Sequence, residues 1–220
     1  MRQWMLKITK YAESLLQGLD TLDWPHSVKE LQKNWIGRSE GAKIYFELPS
    51  IEKNLEVFTT RHDTLFGATY IVLAPEHPLV NALTLENQKD LVSDYIIESS
   101  KKSDLDRTEL NKDKSGVFLG TFAINPANEE KIPIWISDYV IMSYGTGAIM
   151  AVPGQDERDW DFATKYDLPI IRTVEPKKEF NGGAYTGNGQ AINSSFLNGL
   201  YIDDAKEKMV QWLEDNKKGE

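Results

Sequence analysis

Two polar blocks interrupt apolar runs in this 220-residue chain. In the first, Thr59-Thr60-Arg61-His62-Asp63-Thr64 follows the alternating run Leu55-Glu56-Val57-Phe58, and Leu65-Phe66 resumes apolar sequence with no loop glycine or proline. Hydroxyls donate and accept hydrogen bonds, so Thr59 and Thr60 suit a sugar hydroxyl, a carbonyl or a water. The planar fork of Arg61 suits a phosphate or ribose region. Asp63 reads as a brace for the loop. Such a block lines a pocket or, alternatively, is a polar strand end in which Asp63 caps the next segment. The second block, Gln155-Asp156-Glu157-Arg158-Asp159-Trp160-Asp161, follows Pro153-Gly154. Asp156 and Asp159 are three apart and share a helix face. Acids favour the first turn of any helix, so a charged, capped turn is the plain reading. A carboxylate that also faces a pocket holds an ammonium through charge-assisted hydrogen bonds.

The elements that must position these blocks are mostly short strands. Ile44-Tyr45-Phe46, Val57-Phe58, Tyr70-Ile71-Val72-Leu73, Gly116 to Gly120 and Ile132 to Ile136 are rich in branched and aromatic residues. Pro133 marks an edge or a strand start. Ala148 to Val152 is wholly apolar and reads as a strand buried on both faces, with Pro153-Gly154 ending it. Asp156 or its neighbour caps a helix that turns Phe162, Ala163 and Tyr166 inward. Ile8, Tyr11, Ala12, Leu15 and Leu19 give residues 4–19 a helical stripe. Ser27 and Glu30 form a capping box for a second helix carrying Leu31 and Trp35. Thr84 reads as the N-cap of a helix to about Lys102 with Leu91, Tyr95 and Ile96 inward. Residues 100–116 read as a solvated connection. Asn181-Gly182-Gly183 and Gly187-Asn188-Gly189 predict turns around a hairpin. Asp203 caps a last helix with Ala205, Met209, Trp212 and Leu213 on one face. The pattern predicts an α+β chain, a β-barrel core decorated by helices. Its parts are a helical arm at 1–36, the barrel with inserted helices at 37–200, and a C-terminal helix and tail at 201–220.

Composition excludes several classes of chemistry. Without cysteine there is no disulfide, thiolate metal site or cysteine nucleophile. His26, His62 and His77 lack metal-ligand spacing, so no metal or cofactor is expected. No run is apolar enough to span a membrane and no signal peptide is evident, which points to the interior of a cell, cytoplasm or organelle. A net charge of −9 disfavours an autonomous nucleic-acid binder. Gly145-Thr146-Gly147 is no phosphate loop: Met150 stands where the third glycine belongs and no Walker lysine follows. Close backbone approach explains these glycines better.

Read together, TTRHDT, GTGAIMAVPGQDERDWDFA from Gly145, and NWIGRSEG from Asn34 resemble the editing domain of leucyl-tRNA synthetases, of the bacterial and organellar type. The resemblance runs from about Trp4 to about Leu213. His62 departs from the family's usual proline, and Gln155 from its frequent histidine. The resemblance implies a barrel decorated by helices and hydrolysis of the ester joining isoleucine, norvaline or methionine to the 3′-terminal adenosine of leucine tRNA. It implies Asp159 as the anchor of the substrate's α-amino group, with Asp156 supporting it. Thr64 matches the specificity position, and Tyr144, Met150 and Val152 match positions lining the pocket. Thr59, Thr60 and Arg61 would hold the ester, a water and the terminal nucleotide. Neither His-x-Gly-His nor Lys-Met-Ser-Lys-Ser is present, so the chain reads as an excised domain that does not activate an amino acid. Its partners would be the 3′ end of mischarged leucine tRNA and the remainder of a parent synthetase, the domain alone being monomeric. The rival readings are the editing domain of an isoleucyl or valyl enzyme and a non-catalytic tRNA-binding module.

Overall fold

The computed structural model describes residues 4, 6–103, 106–107, 114–142 and 145–220. They form two units, Met1–Glu40 and Gly41–Glu220. The first is a pair of helices, α1 (Ala12–Thr21) after a 3₁₀ turn and α2 (His26–Ile36). The expected capping box is not used. Ser27 lies inside the first turn, and the carbonyl of Pro25 accepts from Val28 and Lys29 N–H instead (3.0 and 3.2 Å). Proline fixes its own φ for this entry and lacks only a donor. Gly37 ends α2 in the left-handed region, φ +67°, donating to the Lys33 carbonyl (2.9 Å).

The second unit is built on an open sheet. β1 (Ala42–Leu48) and β2 (Lys53–Thr59) form a hairpin in full register, with Ile44, Phe46, Leu48, Leu55 and Val57 alternating into the core. β3 (Tyr70–Leu73) is buried along its whole length and runs parallel to β5 (Lys131–Ser137) and antiparallel to β6 (Ala148–Ala151). β4 (Gly116–Ile124) pairs with β5 across a bulge between Phe118 and Phe122. Pro133 sits where β5 is paired on one side only, since β3 covers it from Ile134 onward.

The strand order is β2-β1-β4-β5-β3-β6, and the expected closed barrel is corrected to an open sheet. Its edge strands β2 and β6 approach one another without a hydrogen-bonded ladder. β6 is only four residues long. Positive-φ Gly147 precedes it (φ +73°), and Pro153-Gly154 follows shortly after, leaving too little extended chain to complete a ladder. The seam left open is where both polar blocks converge.

Helices cover both faces. α3 (Val80–Leu83), α4 (Lys89–Ser99) and α6 (Ile202–Asp215) serve the larger core, while α5 (Glu157–Lys165) lays Phe162 and Ala163 on Tyr70, Val72 and Ala151. Thr84 does not cap α4. Its hydroxyl donates back to Val80 (2.6 Å), a 3₁₀ turn at Glu86–Gln88 intervenes, and Leu91 is exposed while Val92 and Tyr95 turn inward. Asp203 lies within the first turn of α6 rather than capping it. The predicted hairpin near 181–189 is reduced to one bridge, Val174 with Ala191. Lys43 and Glu220 exchange backbone hydrogen bonds (2.7 and 3.0 Å), so the C-terminal residues pair along part of β1.

Candidate functional site

At the end of β2 the chain leaves the sheet and tightens. The Thr59 hydroxyl accepts from Arg61 N–H (3.0 Å), and a 3₁₀ segment, His62–Gly67, follows with all six residues buried. The Arg61 carbonyl takes both the N–H and the hydroxyl of Thr64 (3.0 and 2.7 Å). Arg61 forms a two-pronged pair with Asp63, both contacts 2.9 Å. Asn125, wholly buried, fixes the segment from behind by donating to the carbonyls of Leu65 (3.0 Å) and Ala68 (3.3 Å). The loop's shape is therefore set before any ligand arrives.

Across the seam, β6 ends and α5 begins. Asp156 caps α5, accepting from the N–H groups of Arg158 (2.9 Å) and Asp159 (3.3 Å). The Arg158 guanidinium closes on the same carboxylate (3.2 and 3.0 Å). Burial pushes the Asp156 carboxyl up, but Arg158 and the two N–H groups outweigh it and hold it below the usual range. Asp159 is different: it is 3% exposed. Burial first, and the neighbouring Asp156 charge second, push it up to about 7, against the pull of Val152 N–H, Tyr139 and Arg158. Val152 N–H donates to Oδ2 (2.8 Å), Tyr139 to Oδ1 (3.0 Å), and the Tyr70 hydroxyl to the main-chain carbonyl (2.9 Å).

The two sides enclose a cleft of about 160 Å³, lined by Phe58, Thr59, Thr60, Arg61, Ile149, Met150, Val152, Gln155, Asp156, Arg158 and Asp159. Phe58, Ile149, Met150 and Val152 give it an apolar wall; hydroxyls and carboxylates give it a polar one. Pockets for drug-sized ligands run to roughly 300–1,000 Å³, so this cleft has room for an amino-acid-sized group. No lining residue is Ser, Cys, His or Lys, so the cleft itself offers no serine, cysteine or lysine nucleophile and no histidine base. Among the described residues no three His, Cys, Asp or Glu side chains gather to hold a metal ion.

Of the sequence candidates, Thr59, Thr60, Arg61, Met150, Val152, Asp156 and Asp159 meet in this cleft. Thr64 and Asp63 do not line it. Thr64 is wholly buried behind the loop because its hydroxyl is turned to the Arg61 carbonyl, and Asp63 is spent on the Arg61 guanidinium. Thr64, matched to the specificity position, therefore lies behind the loop that forms one wall. Tyr144 lies outside the described residues. His62 is buried, shifted below its usual value by burial, and absent from the lining. Ile149, expected in a fully buried strand, is half-buried and faces the cleft. Sequence reasoning missed Phe58, Arg158, Asn125 and Tyr139 as contributors. Arg158 lies inside the second block and was legible as a cation beside two acids. Asn125 and Tyr139 carry no local signal.

Residues 33–214 match the family model described as leucyl-tRNA synthetase, editing domain. A crystal structure of the ternary complex of Agrobacterium radiobacter K84 agnB2 LeuRS-tRNA-LeuAMS is similar over 99% of this chain, at 35% identity and a TM-score of 0.74. The present chain spans 24% of that chain.

Proposed function

The chain belongs to the leucyl-tRNA synthetase editing-domain family, and from the geometry of its cleft we propose that it hydrolyses the ester linking a wrong amino acid to the 3′-terminal adenosine of leucine tRNA. The observation that carries the reading is the meeting of Asp156 and Asp159 with Thr59 and Thr60 beside an aliphatic wall, in a space the size of an amino acid. The Asp159 carboxylate takes the substrate ammonium, a charge-assisted contact of roughly 1.5–3 kcal/mol. Isoleucine or norvaline lies against Met150 and Val152. The Thr59 hydroxyl, accepting from Arg61 N–H, still has its own proton to donate towards the ester or a water.

The attacking oxygen comes from water. It bonds to the ester carbonyl carbon, the bond from that carbon to the ribose oxygen breaks, and a water proton passes to the departing ribose oxygen. A neighbouring ribose hydroxyl already activates the ester, so orientation of one water and support for the oxyanion carry the acceleration. Such a site answers a limit of binding: one methylene discriminates by only about 1–3 kcal/mol. Within a longer synthetase, other parts would hold the tRNA body, in keeping with this chain's net charge of −9.

The test is to incubate the chain with leucine tRNA charged with isoleucine or norvaline and to follow ester loss. Release faster than in buffer alone, with leucine esters spared, is expected. Loss at the buffer rate, with tRNA still bound, would favour a non-catalytic tRNA-binding module.

A further inference from the structure

We infer that Tyr139 is a positioning residue for Asp159, fixing its carboxylate in the one orientation that meets a substrate ammonium in the cleft. The inference rests on the editing reading above. Tyr139 lies two residues beyond β5, is 6% exposed, and does not line the cleft. Its hydroxyl donates to Oδ1 of Asp159 (3.0 Å) while Val152 N–H donates to Oδ2 (2.8 Å). Two donors from two different segments thus hold one oxygen each, and the plane of the carboxylate is determined. Each oxygen accepts two hydrogen bonds, so each keeps one acceptor direction for a ligand. The phenol is itself held, its ring against Phe162 (centroids 5.9 Å apart), which stacks on Tyr70 (5.3 Å).

The groups facing Asp159 are few. Asp156 opposes its ionisation, Arg158 and Val152 N–H favour it, Tyr70 binds its main-chain carbonyl, and Tyr139 supplies a side-chain hydroxyl to the carboxylate. Deleting that hydroxyl leaves the ionised carboxylate one donor short and free to turn. The neutral form loses less, because a protonated carboxyl donates as well as accepts.

The experiment uses Tyr139→Phe in the full chain, with Tyr166→Phe as the control. Tyr166 belongs to the same aromatic cluster, 4.6 Å from Phe162, but its hydroxyl bonds Gly116 instead. Two measurements are made: the pH profile of kcat/KM on isoleucine-charged leucine tRNA, and the titration of the Asp159 carboxyl carbon by ¹³C NMR. Tyr139→Phe should move the acid limb and the NMR titration upward by about one pH unit, giving about tenfold loss below the limb on top of a smaller loss above it from the freed carboxylate. Tyr166→Phe should move neither. A merely structural role would lower activity at every pH without displacing the limb. If Tyr139→Phe folds poorly, 3-fluorotyrosine at 139 keeps the ring and strengthens the donor, and should move both measurements downward. An unmoved NMR titration in these variants overturns the inference. A parent chain that cleaves nothing overturns the editing reading, and the NMR arm then decides the role of Tyr139 alone.

Discussion

Replacing Asp159 by asparagine should stabilise the fold at pH 8 while abolishing hydrolysis. In the folded chain burial carries this carboxyl from the usual 3.8 to about 7. At about 1.36 kcal/mol per pH unit, ionising it in place costs on the order of 4 kcal/mol. The sign follows from proton counting. Between about pH 4 and pH 7 the unfolded chain has released this proton and the folded chain has kept it, so stability falls as pH rises through that window. Below pH 4 both states are protonated and the cost vanishes. Asparagine mimics the protonated acid: its Oδ1 accepts from Val152 N–H, and its amide donates to the Tyr139 hydroxyl, which turns to accept. Parent and Asp159→Asn should therefore unfold at similar urea concentrations at pH 4, and the variant should be more stable by several kcal/mol at pH 8. The difference between the two isolates this group from every other titration. Activity should move the opposite way, with kcat/KM of the parent rising through about pH 7 and the variant near the buffer rate throughout. A variant less stable than the parent at pH 8 would refute the claim that the buried charge is an unfavourable feature of the fold kept for binding.

Three further changes probe the frame around the cleft. Asn125→Ala removes its donations to the Leu65 and Ala68 carbonyls, leaving the Leu65 carbonyl only the Ala68 N–H, and should cost about 2–3 kcal/mol, read as a Tm lower by roughly 4–12 °C in a chain of this size; an unchanged Tm would remove Asn125 as the clamp. Gly147→Ala meets φ +73° and the Met142 sulfur, so a loss of at least about 1–2 kcal/mol is expected in thermal unfolding, whereas a neutral result would show that the turn before β6 relaxes freely. Thr64→Ala takes away a χ1-locked methyl behind the Arg61 loop and gives that loop room to recede from the cleft, relieving the roughly 1–3 kcal/mol that an overpacked wall costs a larger side chain. Hydrolysis of correctly charged leucine tRNA should then appear, and if leucine is still spared while isoleucine is cleaved, the sieve lies with Met150 and Val152.

What was legible in the sequence was local. Alternation in Ile44-Tyr45-Phe46, the unbroken apolar run of Tyr70 to Leu73 and the acid three residues before Asp159 each announce a strand or a cap from neighbours a few positions away, and the structure places strands and a cap there. Both polar blocks stood out because buried sequence has no reason to carry such residues unless they are partnered. The failures are non-local. Whether β2 and β6 share a ladder depends on how far a four-residue strand extends, and neither block records it. Ser27 and Thr84 are good caps by type, yet the Pro25 carbonyl and a 3₁₀ turn took the positions first. That Thr64 would sit behind its loop, its hydroxyl on the Arg61 carbonyl, is likewise decided by the loop's turn and not by its type.

Tyr139 is the clearest case of a contributor without a local signal. It looks like one more aromatic in a buried run, 20 residues from the carboxylate it binds. Its neighbours are buried for reasons of their own, the Ser137 hydroxyl bonding the Ser115 carbonyl and Val140 packing with its N–H on the Ser137 carbonyl. A motif marks the residues that meet a ligand, since those must sit together on one short segment. The groups that aim them come from wherever the sheet happens to bring a donor within 3 Å, here from beyond β5 and from the end of β6. The open seam makes both possible: it leaves β2 and β6 unpaired at the place where a ligand needs room, and it leaves Val152 N–H to bond Asp159 instead of a neighbouring strand.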